Sequence, residues 1–454
     1  MKSVHKKSIK SNQELLLEVQ NILENYSIKN LDLFLADLHP SEISDLLESM
    51  ESSNRAELFE RLDPKKRGEV LSESSVSIRN SLLEFVDPEG FINETSSLEP
   101  DDLADIIQDL PESMADQVLL SMDAQNRNRV AESLHYPSDT AGGLMNVDVL
   151  TVRPDVEVDV VLRLLRRFGP VPENQNQLFV VDRSNKLMGS VMLLNLLMAE
   201  PEIRIGDLMQ KVGIPINAFT DAREVTLIFE RYDLIEAPVI NEDNKFLGFI
   251  SVDDVVDVLM EETARSRLSS AGLATDYDMF APIIKTSSKR SVWLAVNLAT
   301  AFLAAWVIGL FETTIENMVA LAVLMPVVAS MGGIAGTQTL TIVIRGLSIG
   351  QVGSANSRSV VFREIIIGFF NGCLWALVVA LISSFWFDNV GLGAIIASAM
   401  VVNMVTAGFF GAMIPLTLNK LGIDPALAGG VMVTTITDVV GFFAFLSLAS
   451  YYLI

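Results

Sequence analysis

Apolar positions follow two different regimes along this 454-residue chain. Up to about residue 280 they come at intervals. Ile43, Leu46, Leu47 and Met50 recur three and four apart, the period of one helix face. Residues 38–70 and 98–130 repeat this texture at an offset of 60, Leu38-His-Pro-Ser-Glu-Ile-Ser-Asp answering Leu98-Glu-Pro-Asp-Asp-Leu-Ala-Asp. Each copy opens with a proline early in a helix, so a small α-helical superhelix of two repeats is predicted. From about Thr140 short apolar runs alternate with helical stretches: Val147–Val152, Val156–Phe168, Leu178–Asp182, Leu187–Met192 and Leu193–Ala199. The same order returns over Ile214–Phe219, Glu224–Tyr232, Ala237–Ile240, Phe246–Ile250 and Val252–Met260. That is two β-α-β-β-α units in tandem. Beyond residue 280 the apolar residues merge into five blocks, near 291–311, 317–344, 365–387, 389–419 and 425–454. Each is long enough to cross ~30 Å of hydrocarbon, which takes roughly 20 helical residues.

Charge divides the chain at the same place. Residues 1–280 carry 26 Lys and Arg against 51 Asp and Glu, whereas the remainder carries 7 against 6. So acidic a front half lacks the basic footprint that nucleic acid requires. It suits a surface that attracts cations, and it equally suits plain solubility. A single cysteine, Cys373, excludes an intramolecular disulfide or thiolate metal framework. No apolar stretch follows the basic start, so no secretory signal is expected and the front half should stay in the cytosol. Every Lys and Arg among the five blocks falls on one side: Lys285, Lys289 and Arg290 before the first, Arg345, Arg358 and Arg363 after the second, Lys420 after the fourth. The positive-inside rule then places the N-terminus inside and the C-terminus outside.

Within the last block stands Asp438, with no Lys or Arg in its segment. A carboxylate near a bilayer centre costs roughly 2.5–3.5 kcal/mol on insertion scales, so a pore and a cation are its expected company. The second block interrupts its apolar run with Pro326, Gly332-Gly333 and Gly336, which predicts a broken helix. Ser330, Thr337, Gln338, Thr339 and Thr341 fit an aqueous path, and the small residues fit close helix packing. The fifth adds Gly429-Gly430, Thr434, Thr435 and Thr437, and the fourth adds Asn403, Thr406 and Pro415. The candidate pore-lining set is therefore Gly333, Thr337, Asn403, Gly430, Thr434 and Thr435. These hard oxygen donors suit Mg²⁺ or Ca²⁺ rather than a soft metal. No His–carboxylate or nucleophile constellation points to an enzyme.

The tandem α/β units resemble a pair of CBS modules, which implies adenosyl-nucleotide or other ligand sensing, with ATP a candidate. The second keeps the small-hydroxyl and carboxylate pattern associated with ribose, Ser251 and Asp254, whereas the first has Met192-Leu-Leu-Asn195. The acids Asp253, Asp254, Asp257, Glu261 and Glu262 crowd one helix. Like charges four apart repel unless a cation or solvent intervenes.

Taken together, Thr140-Ala-Gly-Gly-Leu-Met, Pro326-Val-Val-Ala-Ser-Met-Gly-Gly-Ile-Ala-Gly-Thr-Gln and Asp424-Pro-Ala-Leu-Ala-Gly-Gly-Val-Met-Val-Thr-Thr-Ile-Thr-Asp-Val-Val-Gly resemble the MgtE magnesium transporter family over roughly residues 30–454. The resemblance implies a multidomain chain: a tail over 1–29, an α-helical superhelical domain over 30–136, CBS modules over 137–200 and 201–262, a connecting helix over 263–285 and a five-helix pore domain over 286–454. It implies a homodimeric channel in the cytoplasmic membrane whose pore carboxylate is Asp438. It implies closure by Mg²⁺ on acidic cytosolic domains, with Asp233, Asp254, Asp257, Glu262 and Asp424 as further metal-site candidates. Three departures stand out. Ile334 replaces the family's common Asn after the Gly-Gly pair. Arg223 stands at an often acidic position. Arg265 and Ser266 stand where relatives often carry acids. Altered selectivity, as in a broader channel for Mn²⁺, Co²⁺ or Ca²⁺, and weaker Mg²⁺ gating follow as expectations. A CBS nucleotide sensor that transports nothing is the alternative from another class.

Overall fold

The computed structural model describes residues 11–24, 28–83, 90–91, 95, 98, 100–168, 175–211, 213–270, 272–273 and 278–452. It forms two compact units, one of residues up to Thr263 together with Asp276–Pro282, the other of Ala264–Thr275 and Ile283–Ile454.

The N-terminal unit begins with helices α1 (Asn12–Glu24), α2 (Ile28–Asp37), α3 (Pro40–Glu48), α4 (Ser52–Glu60), α5 (Pro64–Ser72), α6 (Val76–Leu83), α7 (Pro100–Asp109), α8 (Glu112–Ser121) and α9 (Ala124–Leu134). The repeat is real at the level of elements: α3, α4 and α5 return as α7, α8 and α9. Pro40 occupies the first turn of α3, and the His39 ring and Glu42 carboxylate complete a capping box there. Residues 12–24 are not part of a tail. They form α1, and Leu15 and Val19 are buried in the helical core. Their spacing gives that helix an apolar face to bury. Residues 1–10 lie outside the described residues.

The α/β part carries two three-stranded sheets. In the first, β1 (Thr151–Val152) is parallel to β2 (Gln177–Val181), which pairs antiparallel with β3 (Leu187–Met192). Helices α10 (Val158–Phe168), α11 (Leu193–Met198) and α12 (Ile205–Leu208) accompany it. In the second, β4 (Ile216–Asn217), β5 (Glu236–Ile240) and β6 (Phe246–Ser251) repeat that order, with α13 (Ala222–Tyr232) and α14 (Val252–Ser270). The chain crosses between modules in a way that its pattern did not reveal. Ala141 and Met145, assigned to the first module, are buried in the core of the second, and the Ala141 amide donates to the Thr220 carbonyl at 2.7 Å.

Instead of one connecting helix over 263–285, α14 runs to Ser270 and the next helix starts at Ile283. Gly272 (φ +70°) takes the left-handed conformation that ends helices, and Pro282 stands just before the new one. Asp278 is tied to the helical domain. Its carboxylate accepts two bonds from the fully buried Arg55, at 2.9 and 3.2 Å, while Arg55 also donates to the carbonyls of Leu47 and Met50.

The C-terminal unit is helical: α15 (Ile283–Gly309), the short α16 (Glu312–Asn317), α17 (Ala320–Ser348), α18 (Ser357–Phe387), α19 (Val390–Lys420) and α20 (Pro425–Tyr452). The five long ones match the five apolar blocks and are long and apolar enough to cross a membrane. Helix α17 is continuous through Pro326 and the glycines, contrary to the predicted break. Its glycines serve close packing: a Cβ at Gly332 would fall 2.2 Å from the Asn403 amide, and one at Gly336 would fall 2.3 Å from Val433.

Removing one member of a buried ion pair costs about 3–5 kcal/mol. Asp278→Ala should therefore lower the urea midpoint of the N-terminal unit markedly. A Glu57→Ala control, which removes a surface partner of Arg61, should leave it nearly unchanged.

Candidate metal sites

On α20 the positions Gly430, Thr434 and Asp438 follow one another four apart, on one helical face, and none is fully buried. Helix α17 comes up against this face. Gly333 lies within van der Waals reach of the Thr434 methyl, 3.7 Å from the place its own Cβ would take. The structure thus brings Gly333, Gly430, Thr434 and Asp438 to adjoining faces of two helices. Thr337 and Ile334 are exposed on α17. The hydroxyls of Thr337, Thr434 and Thr435 donate to carbonyls one turn back (2.8, 3.0 and 2.6 Å). Their backbone-bonded protons leave oxygen lone pairs for a metal or its waters. Among the described residues Asp438 has no hydrogen-bond or ion-pair partner.

Asn403 does not belong to this face. It is fully buried, wedged between Gly332 and Gly441, and its amide donates to the Val328 carbonyl at 2.8 Å. It pins three helices together rather than lining a path. Sequence reasoning placed it with the pore because Asn in an apolar segment reads as a ligand. Glu364 was missed in the opposite sense. Entered only in the charge total, it lies inside α18, buried, and accepts a bond from Thr339 at 3.1 Å.

In the N-terminal unit the acids converge from two directions. Helix α7 brings Asp102 and Asp105 into the field of Asp253, Asp257 and Glu261 on α14. Burial pushes the Asp105 carboxyl up to about 7, and repulsion from Asp102, Asp109 and Glu261 adds to it, while Arg79 opposes. Asp102 keeps an exposed edge, yet the protein around it and then Glu73 raise it to about 6. Asp254 is raised to about 7 by burial, against a short hydrogen bond of 2.5 Å from the Ser251 hydroxyl. Asp257 is raised by burial, then by Glu73 and Asp253. Arg79 is the counter-charge of this cluster, and its Nε donates to Asp109 at 2.8 Å. Among the described residues no three His, Cys, Asp or Glu side chains form a ready metal cage. What the cluster offers is charge around a hydrated ion, the mode Mg²⁺ favours.

The other predicted ligands fall elsewhere. Glu262 is already paired: Arg223 grips it at 2.8 and 3.1 Å. Asp233 is exposed and closes α13 in a left-handed conformation (φ 50°, ψ 46°). Asp424 is exposed and accepts the Ala426 amide at 2.9 Å, capping α20. Ser251 is buried and engaged with Asp254 at the start of α14, so the pair performs a capping role. Asp102 and Asp105 escaped sequence reasoning because acids on an amphipathic helix read as a solvated face. The signal was present in the repeat, which set them opposite Glu42 and Asp45 of the first copy.

Each raised carboxyl holds a proton in the folded chain that it releases on unfolding, where its ordinary value is 3.8. Their contribution is therefore complete below about pH 4 and is lost as pH rises through 6 to 7. In divalent-free buffer the thermal midpoint of the N-terminal unit should rise from about pH 8 to about pH 5.5. Asp105→Asn should raise the midpoint at the alkaline end and flatten the profile. A wild-type profile flat over that range contradicts the assignment.

Comparison with known proteins places these features in one context. Residues 325–448 match the model of the MgtE family, described as a divalent cation transporter. Residues 38–139 match the MgtE intracellular N domain, and 141–202 and 205–261 match the CBS domain. The magnesium transporter MgtE of Bacillus subtilis is 30% identical over 355 residues, 78% of this chain and 79% of that protein. That of Thermus thermophilus is 31% identical over 356 residues, 77% and 78% of the two chains. A crystal structure of the cytosolic domain of the Mg²⁺ channel MgtE in complex with ATP superposes with a TM-score of 0.50 at 29% identity, covering 54% of this chain and 99% of that one.

Proposed function

The chain belongs to the MgtE family, and we propose that it is a Mg²⁺-selective channel or transporter of the cytoplasmic membrane, closed by Mg²⁺ on its acidic N-terminal unit. One observation carries the pore assignment: Asp438 stands inside a span with no partner among the described residues. A carboxylate so placed needs a cation or water. The relatives are named magnesium transporters, and this chain covers more than three quarters of those two. Helix α17 leaves Ile334, Thr337 and Gln338 exposed in the single chain. A second copy facing them supplies the other wall, which supports a homodimer. The basic residues at one end of the bundle support an N-terminus in the cytosol and a C-terminus outside.

For closure, the acid cluster of α7 and α14 is the sensor. Without a cation its carboxylates repel, and Mg²⁺ between them draws the two helices together. Arg223 fixes a cation on Glu262 permanently and so removes one carboxylate from exchange. ATP is a candidate second ligand, by analogy with the ATP-bound cytosolic domain. The engagement of Ser251 with Asp254 leaves the ribose role to a rearrangement of that pair. A broader divalent channel is the second reading, favoured by exposed Ile334 in place of an amide that would hold a metal's water.

Proteoliposomes carrying wild type should take up Mg²⁺, and correctly folded Asp438→Asn should fall to background. Mn²⁺ or Co²⁺ uptake that outcompetes Mg²⁺ in wild type would favour the second reading. Internal Mg²⁺ should close the wild type less sharply than an acid-rich relative. Arg223→Ala should free Glu262 and shift the closing concentration down by about threefold, as befits a surface ion pair. Asp102→Asn with Asp105→Asn should shift it up. Unchanged closure in that double variant removes the cluster from the sensor.

A further inference from the structure

The end of the helical bundle that carries the basic residues holds a cavity with no part in conduction as described above. It lies between the start of α18 and the end of α19, with a volume of about 380 Å³. Its polar lining is Arg358, Ser357, Thr417 and Lys420. Arg358 is the second residue of α18 and Lys420 the last of α19, so the two cations share one level of the bundle. Both are exposed, and among the described residues neither has a carboxylate partner. Below them the lining turns apolar. Val361, Phe362 and Ile365 descend one to two turns along α18, facing Met413 and Leu416 on α19. At 5.4 Å per turn, that apolar stretch reaches roughly 10 Å beneath the cations. The Phe362 ring is 66% exposed, so the groove opens sideways as well as at its mouth.

We propose that this groove binds one anionic glycerophospholipid, its phosphate between Arg358 and Lys420 and an acyl chain along Phe362, Met413 and Leu416. The order of chemistry along the groove is that of a lipid entering from the bilayer: charge, then hydroxyls, then hydrocarbon. Basic pockets between spans at the membrane boundary take such headgroups, and the two cations supply the charge complement. The α18 N-terminus adds amide dipoles on the same side. A soluble anion matches only the mouth and leaves the apolar wall unused. The site requires that this end of α18 and α19 lie at headgroup level, which the five-span reading provides. It does not depend on which ion the pore passes.

The test is native mass spectrometry of the full-length protein in detergent, titrated with phosphatidylglycerol or phosphatidylcholine. Wild type should retain phosphatidylglycerol in preference. Arg358→Glu with Lys420→Glu should weaken that retention by roughly tenfold to thirtyfold, about tenfold or less per lost cation. Arg358→Lys with Lys420→Arg should keep it, which separates lost charge from lost folding. Arg363→Ala, on the same helix but outside the cavity, should also keep it. Equal retention of the two lipids, or an Arg363→Ala loss as large as the double reversal, overturns the site. Displacement of the lipid by millimolar inorganic phosphate overturns the acyl-chain part. A double reversal that changes the number of copies per assembly while lipid retention stays constant assigns the groove to a second copy and overturns the proposal. None of these readouts uses ion flux, so a failed transport assay and a failed lipid assay remain distinct.

Discussion

A carboxylate taken out of water without a counter-charge must find a proton, a cation or a water-filled path. Both units of this chain are arranged around that requirement. In the N-terminal unit, Asp102, Asp105 and Asp254 meet it with protons, raised to about 6 to 7 because burial, and then neighbouring acids, make the charged forms costly. In the helical bundle, Asp438 has no partner among the described residues, and its neighbours one turn away are Thr434 and glycine-rich backbone. The same chemical deficit therefore appears twice, once in the acidic cluster of the N-terminal unit and once on α20, where the proposed channel would pass its ion. In the proposed reading, a diffuse acidic cluster suits weak and reversible binding of a hydrated divalent ion, as a sensor needs. In the same reading, a single carboxylate on a face of hydroxyls suits a hydrated ion that is held without being stripped, as a path needs.

Close helix packing makes the second arrangement possible. Apolar side chains gain nothing by leaving lipid for protein, so small residues and a few polar contacts must hold spans together. Gly332 and Gly441 give Asn403 its slot, Gly408 meets the Glu364 carbonyl, and Gly411 meets Thr339. These contacts lock α17, α18, α19 and α20 at short range. The buried Glu364–Thr339 hydrogen bond adds a polar fastener between α17 and α18. With the scaffold rigid on its inner side, the hydroxyls of α17 and α20 keep their faces free. The helix glycines that look like weak points along the chain are thus sites of tight contact.

Much of this was legible in the chain. Period and block length located the helical repeat, the paired sheets and the five spans, because each depends on local patterning. What depended on distant partners was not. Asp102 and Asp105 look like surface acids until α14 is set beside them. Asn403 and Gly332 are 71 positions apart, so nothing local marks the asparagine as a wedge rather than a ligand. Ser251 and Asp254 carry a ligand-like pattern that is equally a helix cap, and spacing cannot separate the two. Residues 12–24 show the reverse case. Their amphipathic period was present in the chain, and the tail assigned over 1–29 overlooked it.

Arg223 and Mg²⁺ would neutralise Glu262 by the same Coulombic attraction, yet the consequences differ. A guanidinium is covalently attached, permanently charged and planar, so it satisfies one carboxylate at all ion concentrations. A hydrated divalent ion leaves when its concentration falls and can face several carboxylates at once. Each Arg set into an acidic surface therefore converts a concentration-dependent contact into a constant one. With Glu262 held by Arg223, the charge that α7 and α14 bring together lies on Asp102, Asp105, Asp253, Asp257 and Glu261. On the proposed gating, the sensing range of the unit is set by this cluster and by Arg79, which already opposes Asp102 and Asp105. Because Asp105 is raised to about 7 and Asp102 to about 6, the proposed gating has protons and divalent ions compete for the same carboxylates, so acid and Mg²⁺ would act on the unit in the same direction.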